Sequence, residues 1–239
     1  MEYSESSLIV TLFTRVNGII AVIAKGAKRP KSKFGAYLVP GQVLEVVYHY
    51  KPTRSVQTLT DVSYSLKLSG FRTSVEKMAL VITMLELSAQ VLHENEVNER
   101  LFDFLKNALD WVDQQKSVTR TIFPYLQLRI LDRIGIGLQI DQSFETKSPL
   151  KGYINIETGT LSNIRSGEES EELTGAQLDF IFSTLTQKKS SIFKKKLTGN
   201  ELNSLIEYLD RYIRYHVEGV KPRRSDKIFE QLLSDQPNS

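Results

Sequence analysis

Five cations fall within nine residues at Lys25, Lys28, Arg29, Lys31 and Lys33. Side chains of this type, crowded in this way, neutralise phosphates and release the counterions condensed on a nucleic acid, without reading its sequence. The cluster lies inside a stretch from Ser6 to Leu44 that holds no acidic residue and six basic ones, the sixth being Arg15. So one-sided a distribution suits a polyanion better than a neutral ligand. Lys51 and Arg54 extend the candidate surface. Phe34, Tyr37, Tyr48 and Tyr50 are candidate platforms for stacking unpaired bases, though for any one of them the core of a β domain is the favoured place. Two later basic groups, one at Lys188, Lys189, Lys194, Lys195 and Lys196 and the other at Lys221, Arg223 and Arg224, fit solvated faces.

Catalysis is poorly served by the same inventory. The chain has no cysteine, which removes disulfides, thiolate nucleophiles and cysteine-ligated zinc together. Its three histidines, His49, His93 and His216, are scattered without a partner at metal-ligand spacing. The pair Lys25-Gly26 lacks the preceding glycine and the spacing of a phosphate loop. Glu168, Glu169, Glu171 and Glu172 form an acidic run that could bind magnesium, which keeps a metal-dependent nuclease as an alternative. The favoured reading is a binding protein, not an enzyme, with no cofactor and no metal.

These residues need elements to hold them. With 41% hydrophobic and 25% charged residues, 239 residues suffice for a folded chain of one or two domains. The opening residues lack the basic and apolar regions of a signal peptide, and no apolar run is long enough to span a bilayer. A soluble, cytoplasmic protein is therefore expected. The first third reads as strands: Leu8 to Arg15 and Ile19 to Ala24 flank Asn17-Gly18, a strong hairpin signal, and Gln42 to Tyr50 and Val56 to Leu66 flank a turn at Lys51 to Arg54. Near Ser74 the period becomes helical. One helix carries Met78, Val81, Ile82, Leu85, Ala89 and Leu92, and a second Val97, Leu101, Leu105, Ala108 and Val112. A third starts near Phe123, with Pro124 in its first turn, and stops at Gly135 and Gly137. From 139 to 172 only Tyr153 to Ile156 reads as a strand. Capping pairs Thr174 with Gln177, and Thr198 with Glu201, open two more helices, and a last helix is expected from Ser225 to Leu233. The expected class is α+β, a small β-barrel followed by helices.

Several runs in this order resemble one family. The stretch from Tyr3 to Arg15 (YSESSLIVTLFTR), Asn17-Gly18, and Ala24 to Ser32 (AKGAKRPKS) are similar to the start of the RecO family. The similarity continues through Leu85-Glu86-Leu87, Asn98 to Phe102, Leu126 to Gly135 and Tyr215 to Gly219. The resemblance implies an N-terminal OB-fold barrel over residues 1–73 and an all-helical C-terminal domain over 74–239, with an irregular, cysteine-free segment at about 136–172. It implies a DNA repair and recombination mediator that binds and anneals single-stranded DNA. With RecR it would help load RecA onto strands coated by single-stranded DNA-binding protein (SSB). An RNA-binding OB-fold protein is the alternative of the same type. The DNA contacts would be Arg15, Lys25, Lys28, Arg29, Lys31, Lys33, Lys51 and Arg54. The acidic tail of SSB would meet Arg129 and Arg133, which share a helix face, with Leu126 and Ile130 as an apolar wall. Two departures stand out. Many relatives carry a four-cysteine zinc site where 136–164 has no cysteine, so zinc is not expected. Relatives also start with a further strand before the Tyr3 step, so either this chain starts late or the first barrel strand is expected to be missing, which would leave an open edge.

Overall fold

A computed structural model describes residues 5–94, 96–141, 144, 151–186, 195–223 and 225. The expected helix from Ser225, and Lys188, Lys189, Lys194 and Arg224, lie outside these, Ser225 itself excepted. Packing divides the chain into two compact units, 1–116 and 117–239. The division falls after the second helix, where the change of sequence period near Ser74 had suggested 73.

In the first unit, strands β1 (Leu8–Thr14), β2 (Gly18–Ala24), β3 (Val43–His49) and β4 (Val56–Leu66) form one sheet in the order β1-β2-β4-β3. The β1–β2 hairpin is antiparallel and turns at Gly18, whose φ is 62°. A side chain there would be strained, and its Cβ would lie 2.7 Å from the Glu96 nitrogen and closer still to the Glu96 carbonyl. β2 runs parallel to β4, and β3 antiparallel to it. Ile20, Val22, Ala24, Leu59 and Val62 bury between the strands. On the opposite face of the hairpin, Phe13 meets Phe102 edge to face at 5.7 Å, which ties β1 to helix α2 (Glu99–Gln114). Helix α1 (Val75–Val91) is buried on most sides and starts at Ser74, whose side chain accepts from the Lys77 N–H.

The α+β class holds, with strands first and helices after, but among the described residues the sheet is not closed into the expected OB-fold barrel. Among the described residues, β1 and β3 pair with β2 and β4 alone. A groove of about 800 Å³ opens at their free edges, floored by helix residues such as Leu85 and Leu105. The cause is visible in the burial pattern. The inward residues of the central strands are buried, whereas Leu8, Val10 and Leu12 on β1 and Leu44 and Val46 on β3 are only partly covered. Among the described residues no strand covers the two edges.

The second unit is not all-helical. Helices α3 (Ile122–Arg133), α4 (Gly175–Thr186) and α5 (Gly199–His216) share it with a small sheet. Strands β5 (Gln139–Ile140), β6 (Lys151–Asn155), β7 (Thr160–Ser162) and β8 (Ser170–Thr174) run in the order β5-β7-β6-β8. The segment expected to be irregular therefore carries four strands, too short to show a period of their own. It holds no cysteine or histidine. Buried Asn155 organises it: its amide donates to the Ser166 carbonyl at 2.6 Å and accepts from the Thr158 N–H at 2.8 Å. Ile154, Ile156, Leu161 and Leu173 supply the sheet's apolar side. α5 begins with the expected capping box of Thr198 and Glu201, and Thr174 and Gln177 exchange the same pair of bonds at α4.

Candidate nucleic-acid interface

The basic loop is built, not loose. Ala27 and Phe34, 7% and 6% exposed, insert into the β core and pin it at two points. Between the pins the backbone folds as successive tight turns: Arg29 N–H donates to the Gly26 carbonyl at 3.1 Å and Ser32 N–H to the Arg29 carbonyl at 3.0 Å. Lys28 N–H donates to the Ser6 carbonyl at 3.0 Å, so the loop is also held at the start of the hairpin. With the two apolar residues inward, Lys25, Lys28, Arg29 and Lys31 are left exposed. None of the four has a carboxylate within ion-pair distance among the described residues. Four unneutralised cations on a fixed scaffold attract phosphates at a low cost in loop ordering.

The other expected contacts are placed differently. Lys33 turns back onto the sheet, donating to the Thr60 carbonyl at 2.7 Å, pairing with Asp61 at 3.7 Å and lying 5.0 Å from the Phe34 ring. Arg15 pairs with Glu99 at 3.3 Å and Asp103 at 3.2 Å. Both are exposed pairs of modest strength that a phosphate can compete for, but neither cation is free. Lys51 and Arg54 are exposed and have no ion pair among the described residues, on the tip between β3 and β4. Lys33 meets β4 at Thr60 whereas Arg54 precedes its first residue, so at about 3.3 Å per residue the two basic stations lie roughly 15–20 Å apart along the strand.

Gln57, which the sequence reading passed over, sets that second station. Its buried side chain accepts from the Lys51 N–H at 2.7 Å and donates to the carbonyls of Lys51 at 3.1 Å and Arg54 at 2.7 Å. The available signal was an amide at an inward position one residue into a strand, directly after a polar turn. Of the four aromatic candidates, Phe34 is core, Tyr37 packs on Tyr64 with ring centroids 4.6 Å apart, and Tyr48 receives a hydrogen bond from Asn17 at 2.7 Å. Only Tyr50 stands open.

In the second unit, Leu126 and Ile130 are 2% and 1% exposed, so they belong to the helical core and form no pocket wall. Arg129 is 8% exposed; its guanidinium reaches the Thr184 carbonyl at 3.4 Å, and its Nε has no hydrogen-bond partner. No carboxylate pairs with it among the described residues. Arg133 donates to the Arg129 carbonyl at 2.7 Å and pairs with Asp132 at 3.5 Å. Burial, with the neighbouring Arg129 charge second, pulls the Arg133 pKa below the usual guanidinium value. Arg129 thus sits beside a second cation with no carboxylate of its own among the described residues, a setting that favours an anion at Arg129. In the acidic run, by contrast, Glu169, Glu171 and Glu172 are all paired. Arg211 binds Glu169 at 2.5 Å and also Glu171, and Lys151 pairs with Glu172 at 3.5 Å. Among the described residues no group of three or more acidic or histidine side chains could hold a metal ion. Nor is any described helix long and apolar enough to cross a membrane.

Comparison with known proteins agrees across the chain. Residues 1–65 match the family model described as Recombination protein O N terminal, and residues 72–226 that described as Recombination protein O C terminal. The chain is 25% identical over 239 residues to the DNA repair protein RecO of Salinibacter ruber, covering 99% of this chain and 92% of the relative. It is 25% identical over 249 residues to that of Chloroherpeton thalassium, with 98% and 95% covered. To that of an Exiguobacterium species it is 26% identical over 237 residues, with 98% and 92% covered.

Proposed function

The chain belongs to the RecO family of DNA repair and recombination proteins, and on that premise we propose that it binds single-stranded DNA through its anchored basic loop, anneals complementary strands, and with RecR helps load RecA onto SSB-coated DNA. The observation that carries the reading is the set of Lys25, Lys28, Arg29 and Lys31, exposed and without an ion pair among the described residues, on a loop whose own hydrogen bonds fix it. Lys51 and Arg54 form a second phosphate station. Arg15 and Lys33 contribute by exchanging their carboxylates for phosphates. Such contacts hold the backbone and leave bases free to pair with a second strand, a stoichiometric role that needs no catalytic residue. Three of the four carboxylates of the nuclease alternative are held by Arg211 and Lys151.

For the acidic SSB tail, the crowded pair of Arg129 and Arg133 supplies the cations. Arg129→Ala should weaken binding of a tail peptide by about 1.5–3 kcal/mol, the scale of a charge-assisted contact, and leave naked-DNA binding unchanged.

The reading is tested by mixing complementary fluorescent strands with the chain in EDTA. Annealing faster than in its absence, competed away by single-stranded DNA, supports it. Strand cleavage that EDTA abolishes, or preferential competition by RNA of the same length, refutes it.

A further inference from the structure

We infer that Tyr50 is a base-stacking residue: an unpaired nucleobase lies on its ring while Lys51 and Arg54 hold the flanking phosphates. The inference rests on the DNA-binding reading and adds to it a contact to the base. Tyr50 is 68% exposed, and its side chain makes no hydrogen bond or ring contact among the described residues. The other three aromatic candidates are engaged: Phe34 in the core, Tyr37 on Tyr64, Tyr48 on Asn17. An open tyrosine presents a large, stiff surface that orders at little entropic cost.

Its setting is equally specific. The three hydrogen bonds from buried Gln57 fix the tip on which Tyr50, Lys51 and Arg54 sit, and the Arg54 N–H closes it onto the Lys51 carbonyl at 3.0 Å. The Asn17–Tyr48 hydrogen bond sets the β1–β2 turn beside this tip, and that turn presents exposed Val16 as a further apolar surface. A platform for a π-face with two unpaired cations beside it is the combination that binds single strands without sequence preference.

The test measures binding of an oligothymidylate of about 16 nucleotides, and of an abasic strand of equal length, to the full chain and to Tyr50→Ala and Tyr50→Phe. Tyr50→Ala should weaken the oligothymidylate by about 5- to 150-fold, the range of one lost stack. It should leave the abasic strand and the salt slope unchanged, and Tyr50→Phe should bind like the parent. Because the side chain is exposed, all three proteins should melt at the same temperature. Equal losses on both strands, or no loss on either, overturn the stacking role. A parent that binds neither strand instead refutes the DNA-binding reading itself.

Discussion

Arg223 looks in the sequence like one more surface cation, and its removal should be among the most damaging single changes in the second unit. Its guanidinium forms two hydrogen bonds to Asp210 of α5, at 2.8 and 2.6 Å, and lies 4.8 Å from the centroid of Phe123 in α3. Asp210 also accepts from Gln127 of α3 at 2.6 Å. The side chains of Arg223 and Asp210 are 5% and 15% exposed. Arg223→Ala leaves a largely buried carboxylate with one neutral donor, and breaking a buried pair in this way costs about 3–5 kcal/mol. At a urea slope of roughly 2 kcal/mol per molar, the midpoint of the second unit should fall by about 1.5–2.5 M. The double change Arg223→Met with Asp210→Leu removes both charges and should recover most of the loss, since apolar replacement of a whole pair is often neutral or better. A single variant that unfolds within about 0.5 M of the parent would refute the reasoning, as would a double variant no better than the single.

Other consequences are more local. Gln57→Ala removes three hydrogen bonds from the β3–β4 tip. It should cost about 1–3 kcal/mol and speed hydrogen exchange selectively over residues 50–55. Glu201 has its pKa lowered, first by the hydrogen bond from Thr174 and then by that from the Thr198 backbone. A depressed folded-state value means its contribution is complete above the ordinary carboxylate range and is lost as pH falls through the folded value. Thermal melting should show that acid-side loss in the parent and a smaller one in Glu201→Gln.

Local pattern carried much of the fold into view. Val56 to Leu66, read as a strand, is β4; Asn17-Gly18 turns the β1–β2 hairpin; Thr198 and Glu201 cap α5 as their spacing requires. What stayed hidden depends on partners distant in sequence. Closure of a barrel is decided by whether one strand edge finds another, and nothing within Leu8 to Thr14 says that its free edge meets none. β5 and β7 have two and three residues, below any detectable period, and rely on their neighbours and on Asn155 nearby. The candidate interface was legible as a cluster but not as a division of labour. Arg15 is paired by Asp103, 88 positions away, and Lys33 by Asp61 on β4, while Lys25, Lys28, Arg29 and Lys31 have no ion pair among the described residues. Arg223 is the clearest case: three basic residues in a row of four suggested solvent, and tertiary packing made one of them core.

The central claim is that the anchored loop holds the phosphates of single-stranded DNA. Its most direct test is the salt dependence of binding for the parent and for the combined variant Lys28→Ala, Arg29→Ala, Lys31→Ala. Each phosphate contact on a single strand contributes about 0.7 to the slope of log K against log salt, so three lost contacts should flatten it by about 2. A folded variant that binds weakly with a slope reduced by that amount is the predicted result. An unchanged slope and affinity would place the DNA on another surface and contradict the account.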